Sequence, residues 1–247
     1  MSTLPTRRIR RWAVAVALLL SLGFFWPEAA PSASSAAAAV AASASEGYAA
    51  KIFRRVGKTA RTMGYVGDKG GDGDRHGRVR NTSPYGRPVV LLVGDSLVQR
   101  SFEPGGWGAR LAHDYARSAD VLLRGFSGYN TAWVVDLMHR QPGLFPPPQH
   151  VVLLVVLLGA NDASRPDGHK THYGVPILEY KRNLRWIASQ YTNGPDGPVV
   201  VVCTPPPVDE PRRLHLTTKM KGMPAALLDR STARTEQYVR AAAEVAA

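Results

Sequence analysis

The chain has 247 residues, 45% of them hydrophobic, which is enough for one domain with a buried core plus a tail. Of its net charge of +12, residues 1–88 contribute 14 Lys/Arg against 5 Asp/Glu, whereas residues 89–247 contribute 17 against 14. The positive charge thus lies mostly in a leader and linker, and no nucleic-acid-binding motif is visible, so we exclude a nucleic acid as partner. The single cysteine, Cys203, excludes an internal disulfide and is predicted to be a small buried hydrophobe.

An arginine cluster followed by an apolar stretch at 12–26 opens the chain. Fifteen residues are few for a membrane span, which needs about 20, but they are typical of a secretory signal peptide. An uncleaved signal anchor, holding the protein to the membrane through residues 12–26, fits the same composition. Residues 1–26 therefore predict a protein of the secretory pathway, secreted or anchored facing the lumen. An organelle transit peptide agrees less well with so apolar a block.

The next segment, residues 27–87, predicts a linker. It is first rich in Ala and Ser and then, from about residue 46, basic and rich in glycine. Such a composition suits a tether better than a packed layer.

Residues 88–247 alternate between apolar strand-like runs and helical patterns. The runs are continuously apolar, as in parallel strands that are covered on both faces. This alternation predicts an α/β fold with a parallel sheet, whose ligand crevice lies at the carboxyl ends of the strands. The predicted strands are 88–93, 120–124, 150–158 and 198–203, and the predicted helices are 107–117, 131–138, 175–190 and 232 to the end.

Three polar turns follow the first three predicted strands. In Gly94-Asp95-Ser96, the serine could be a nucleophile exposed in the crevice, or the turn could simply cap a helix. In the segment 124–131, Gly128 could bring its N–H close to an acyl oxygen, or serve only as a small turn residue. In the segment 159–162, Asn161 could donate to an oxyanion, or form an Asx turn. Their convergence on one crevice favours the functional interpretation.

The fourth segment, Cys203–Glu210, is stiffened by three prolines and brings carboxylates to the same edge. A triad of Ser96, His215 and Asp209 is imaginable, but the spacing of these residues prescribes no such geometry.

The sequence GDSL, then GFSGYNT, then GAND resembles the SGNH (GDSL-type) hydrolase superfamily. Five segments, "SFEPGGWGARLA", "LRGFSGYNTAW", "LLGANDA", "VPILEYKRNL" and "TPPPVDE", are similar to its isoamyl acetate-hydrolysing esterase branch. The resemblance extends from about residue 89 to the C-terminus. It implies a three-layer α/β/α sandwich with a parallel, flavodoxin-like sheet and ester hydrolysis through an acyl-enzyme.

The resemblance also implies a role for each matching residue. Ser96 would be the nucleophile, and its N–H, the Gly128 N–H and the Asn161 side chain would form the oxyanion hole. Asp95 and Asp162 match positions that support these loops. Trp107 matches the start of the first helix, where we expect a core anchor.

The family's general base, in a final D-x-x-H motif, has no counterpart here. Only His139 has an aspartate three residues before it, and it ends a helix that leads away from the crevice. His169 and His172 could be metal ligands only weakly, because no third ligand lies near them. We therefore expect a chain without the last strand and helix of the fold, and poor hydrolysis by residues 88–247 alone.

The predicted function is hydrolysis of short-chain carboxylic esters, with a small-molecule substrate and no cofactor or metal. One alternative is an O-acetyltransferase or deacetylase of glycans from the same superfamily. The other is a non-catalytic binding protein that keeps the crevice without the base.

Overall fold

The computed structural model describes residues 13–14, 87–192, 197–220, 222, 224–225 and 228–246. The predicted linker, apart from Arg87, and nearly all of the predicted leader lie outside these residues. Within the described ranges, no helix is long and apolar enough to cross a membrane.

The sheet has five strands, all paired in parallel, in the order β1-β5-β4-β2-β3. The four predicted strands are confirmed to within one residue at either end, and their apolar side chains are largely buried. The short β1, which pairs with the edge of β5, is not predicted by the sequence. The strands are β1 (Ala13–Val14), β2 (Val89–Gly94), β3 (Asp120–Gly125), β4 (Val151–Leu157) and β5 (Val199–Cys203).

The four predicted helices are also present, although the first ends three residues early. Two short helices, α1 and α5, were not predicted, because a helix of four to six residues has too few turns to show a periodic apolar pattern. A π-helical turn, Leu216–Met220, continues α5. The helices are α1 (Ser96–Gln99), α2 (Trp107–Asp114), α3 (Thr131–Arg140), α4 (Ile177–Ser189), α5 (Glu210–His215) and α6 (Thr232–Ala246).

Helices cover both faces of the sheet, which confirms the three-layer α/β/α sandwich. Apolar side chains of α3, α4 and α6 pack on one face, where Tyr180 and Tyr238 are fully buried. Those of α1 and α2 pack on the other face, together with Trp107 and Cys203. Trp107 is a core residue, as expected, and its indole Nε1 donates to the carbonyl of Leu97 at 3.3 Å. Burial raises the pKa of the Cys203 thiol to about 12, consistent with its predicted role as a hydrophobe.

The chain reverses direction across the sheet at β2. It passes from β2 to β3 on one side and then returns to β4 on the other. In parallel sheets the crevice outside such a switch point is where ligands bind. The segments that follow β2 and β4 carry Ser96 and Asn161, so the topology brings these two residues to one place.

Candidate active site

Ser96 occupies the first position of α1, directly after the end of β2. The carboxylate of Asp95 caps this helix by accepting a hydrogen bond from Leu97 N at 2.9 Å. Gly94 makes the turn sterically feasible, because a Cβ at this position would lie 2.2 Å from Cγ2 of Val98. The strand end and the cap together hold Ser96 at the crevice, half-buried.

Gly128 lies in the loop between β3 and α3. Its φ of +84° is in the left-handed region that favours glycine, and a Cβ here would meet the ring of Tyr173 at 3.2 Å. The preceding residue, Ser127, donates its N–H to Oε1 of Gln99 at 2.7 Å, which ties the loop to the end of α1. The loop therefore carries Gly128 to the same cavity as Ser96.

Asn161 connects three parts of the site. Its Nδ2 donates to the carbonyl of Tyr129 at 2.9 Å and lies 3.4 Å from Oδ2 of Asp95. Its Oδ1 accepts a hydrogen bond from Nη2 of Arg230 at 2.9 Å. The amide is thus held with its oxygen toward Arg230 and its nitrogen toward the loops of Ser96 and Gly128.

Asp162, the next residue, fastens the start of α3. Its Oδ1 accepts hydrogen bonds from the Thr131 amide at 3.0 Å and the Thr131 hydroxyl at 2.5 Å. Asn183 of α4 donates to the same hydroxyl at 3.1 Å. Asp162 is fully buried and joins the loop after β4 to the loop after β3.

Burial disfavours the charged form of both aspartates. Desolvation raises the pKa of Asp95 to about 6, although the hydrogen bond from Leu97 and the charge of Arg230 act in the opposite direction. Desolvation raises the pKa of Asp162 to about 7, against the hydrogen bonds from Thr131. The site therefore holds two carboxyl groups whose ionisation changes near neutral pH.

Ser96, Gly128 and Asn161 line one cavity of about 480 Å³, together with Asp95. A volume of this size accommodates a small ester. The structure brings these four predicted site residues together, whereas Asp162 lies beneath them.

A cluster of cations borders the same cavity and is a feature that the sequence analysis missed. Buried Asp229 accepts two hydrogen bonds from Arg213, at 2.8 and 2.6 Å, and lies 3.6 Å from both Lys170 and Arg230. Burial alone would raise the pKa of Asp229, but the hydrogen bonds and charge of Arg213 and the neighbouring cations lower it to about 2. Lys170, Arg213 and Arg230 all line the cavity. These residues lie far apart in the sequence, and the only sequence signal is a basic character that is also common on solvated surfaces.

The second site considered from the sequence, a triad of Ser96, Asp209 and His215, is not assembled. Asp209 lines the cavity, but its carboxylate caps α5 by accepting from Arg212 N at 3.0 Å. His215 is exposed at the end of α5. Within the described part of the chain, no cavity-lining residue is a histidine.

The remaining histidines singled out by the sequence lie elsewhere. His139 stacks on Trp186 at 4.4 Å between ring centroids, at the end of α3. His172 packs on Tyr173 at 4.2 Å, and His169 lies 3.8 Å from Asp229. In the described ranges, no group of three or more His, Cys, Asp or Glu side chains is arranged to hold a metal ion.

Comparison with known proteins gives a consistent assignment. Residues 92–247 match the model of the GDSL-like Lipase/Acylhydrolase family. A GDSL esterase/lipase of Arabidopsis thaliana is 41% identical over 134 residues, which cover 52% of this chain and 54% of that protein. The isoamyl acetate-hydrolyzing esterase 1 homolog of Mus musculus is 44% identical over 125 residues, which cover 50% and 49%. The chain spans about half the length of the curated relatives it matches.

Solved structures show similarity at low sequence identity. An acetylxylan esterase from Geobacillus stearothermophilus is 18% identical and aligns with a TM-score of 0.44, over 64% of this chain and 71% of that one.

Proposed function

The chain belongs to the GDSL-like lipase/acylhydrolase family, and from that membership we propose that it hydrolyses esters of short-chain carboxylic acids with Ser96 as nucleophile. The observation that carries this proposal is the convergence of Ser96, Gly128 and Asn161 on one cavity. Each lies on a different segment, and each supplies a group that acyl transfer needs.

The proposed reaction has two steps. Oγ of Ser96 attacks the ester carbonyl carbon, the alcohol leaves with a proton, and an acyl-enzyme forms. Water then attacks the acyl carbon and releases the acid, which restores the Ser96 hydroxyl. In both steps the backbone N–H groups of Ser96 and Gly128 and the Nδ2 of Asn161 stabilise the oxyanion.

The proton of Ser96 needs an acceptor, because a neutral hydroxyl is a weak nucleophile. We propose that this acceptor, the D-x-x-H histidine of the family, is not contributed by the cavity residues described above. A soluble imidazole can take its place in solution, which makes the nucleophile testable in the chain as it is.

The test is hydrolysis of 4-nitrophenyl acetate by the full chain with increasing 2-methylimidazole, whose methyl group hinders direct attack on the ester. We expect the enzymatic rate to rise with the imidazole concentration, and mass spectrometry to detect acetyl on the peptide that contains Ser96. Ser96→Ala should abolish both signals, while Ser189→Ala, on the exposed surface of α4, should retain them.

The contrary result would be turnover equal in the parent chain and Ser96→Ala at every imidazole concentration, with no acylated serine. It would favour the alternative of a non-catalytic protein that binds a ligand in this cavity. The observation behind that alternative is the absence of histidine among the described lining residues.

We also propose that residues 1–26 direct the chain to the secretory pathway, on the strength of their composition. The pairing of Ala13–Val14 with β5 means that cleavage after residue 26 would remove β1 from the sheet. N-terminal sequencing of chain recovered from the culture medium distinguishes the cases: a start beyond residue 26 indicates a cleaved leader, and a start at Met1 indicates a retained one. Chain found only inside the cells would contradict the proposed route.

A further inference from the structure

The cavity beside Ser96 carries more positive than negative charge on its walls. We propose that its ligand bears a carboxylate, bound near Lys170 and Arg212, so that the substrates are esters that also carry a carboxylate group. The ester part of this statement rests on the proposed function, whereas the carboxylate part rests on the charges of the cavity alone.

The first support is the charge balance around Asp229. This fully buried carboxylate is bound at both oxygens by Arg213, which is enough to pair it. Two further cations, Lys170 and Arg230, lie 3.6 Å from its Oδ2. Three positive charges around one negative charge leave this cluster with a net charge of +2. A role in holding Asp229 does not require so many cations.

The other carboxylates of the cavity do not cancel this excess. Four lining residues are cations: Lys170, Arg212, Arg213 and Arg230. Two lining residues are acids, Asp95 and Asp209, and the carboxylate of each caps a short helix by accepting a backbone N–H. When Asp229 is included, four cations face three acids, so the cavity remains positive by one charge.

The location of the cations fits a substrate group rather than the reacting oxygen. Arg230 is nearly buried and occupies the oxygen end of the Asn161 amide. Lys170 is about 30% exposed, and Arg212 is exposed on α5. These two side chains can therefore meet a group that enters from solvent, while Arg230 stays next to the oxyanion donor.

The opposite wall of the cavity is apolar. It includes Pro206, Pro207, Val208 and Leu216 and can cover a hydrocarbon or ring portion of a ligand. A ligand with an anionic end and an apolar body therefore matches both walls.

The experiment measures binding without catalysis, by titration calorimetry of the full chain with 4-acetamidobenzoate. This compound carries a carboxylate and an amide in place of the ester, and its methyl ester is the neutral comparison. We expect the carboxylate to bind at least about tenfold more tightly than the methyl ester, as a charge-assisted contact in a half-buried site allows. Lys170→Gln and Arg212→Gln should each reduce that ratio several-fold.

Arg240→Gln is the matched control, because Arg240 is an exposed cation on α6 that does not line the cavity. It should leave the ratio unchanged, and thermal unfolding should show that all three variants are folded. Equal affinity for the two compounds would overturn the proposal. A preference that neither Lys170→Gln nor Arg212→Gln diminishes would overturn it as well.

The outcome is separable from that of the proposed function. If the carboxylate preference is present but Ser96-dependent turnover is not, the anion site is supported and the esterase proposal fails. If 4-nitrophenyl acetate is hydrolysed through Ser96 but the binding ratio is one, the esterase proposal is supported and the anion site fails.

Discussion

Arg230 and Asn161, which are 69 residues apart in the chain, are joined by a hydrogen bond of 2.9 Å from Nη2 to Oδ1. The same guanidinium donates to the Ser164 hydroxyl at 2.5 Å and to the Asp229 carbonyl at 3.0 Å. With its oxygen held by a cation, the amide of Asn161 can present only its nitrogen to the site. Arg230 is therefore a positioning residue for the proposed oxyanion hole.

This relationship predicts different kinetics for two substitutions. Asn161→Ala should lower the Ser96-dependent kcat on a neutral ester by about 10²–10³, because it removes an oxyanion donor. Arg230→Met should lower kcat by a smaller factor, about tenfold, with little change in KM, since the amide remains but is free to rotate. Both are measured on 4-nitrophenyl acetate with 2-methylimidazole present.

Arg240→Met is the control for loss of a charge and should retain the parent kcat. If Arg230→Met raised KM and left kcat unchanged, Arg230 would contact the substrate rather than position Asn161.

The backbone of Gly128 predicts a loss of stability on substitution. Gly128→Ala should lower the free energy of unfolding by about 1–2 kcal/mol, because its φ of +84° is unfavourable for an L residue and the new Cβ would press on Tyr173. Urea unfolding followed by tryptophan fluorescence measures the change.

Two other glycines separate the causes. Gly105 has a φ of +77° but open space around it, and Gly143 has open space without a left-handed φ. Gly105→Ala should show the backbone strain alone, and Gly143→Ala should be nearly neutral. A loss for Gly128→Ala no greater than that for Gly143→Ala would refute the argument.

The raised pKa of Asp162 predicts a loss of stability as pH increases. Its ordinary value is 3.8 and its folded value about 7, so the folded state holds the proton more tightly. The stabilisation is complete below pH 4 and is lost as pH rises to about 7, with a slope of up to about 1.4 kcal/mol per pH unit. Asp95, with a pKa of about 6, acts in the same direction, so the interval between pH 6 and 7 isolates Asp162 best.

Asp162→Asn should flatten this slope, since the amide oxygen still accepts from Thr131 but carries no proton to lose. Asp136→Asn, on the exposed side of α3, should keep the slope of the parent chain. Histidine titration is common to all three proteins and cancels in the comparison. An unchanged slope in Asp162→Asn would show that its carboxyl does not titrate in this range.

Asp229 predicts the opposite dependence, at acid pH. Its folded pKa of about 2 lies below the ordinary 3.8, so its stabilisation is present above pH 4 and is lost as pH falls toward 2. Asp229→Asn should lower the free energy of unfolding at pH 7 by about 2 kcal/mol, because it leaves three cations without their carboxylate.

Asp167→Asn is the comparison, because Asp167 also binds an arginine but is mostly exposed. Its effect should be below about 1 kcal/mol. Equal effects of the two substitutions would mean that burial adds nothing to the Arg213–Asp229 pair.

The sequence by itself determined the layers of this protein and three of its site residues. The apolar run at Val151–Leu157 is buried from end to end and specifies a central parallel strand, because only such a strand is covered on both faces. Ser96 and Asn161 follow strands of the same sheet, so their approach to one edge follows from the rule that parallel strands end together. The short α1 and α5 escaped prediction because they have too few turns to show a period.

Only the tertiary structure decided the charge of the cavity and the orientation of its amide. Lys170, Arg213 and Arg230 meet at Asp229 because three loops converge there, and no periodic pattern in the sequence encodes such a meeting. The same holds for the bond from Arg230 to Asn161. Strand periodicity is a local consequence of backbone geometry, whereas contacts between loops depend on how the whole chain packs.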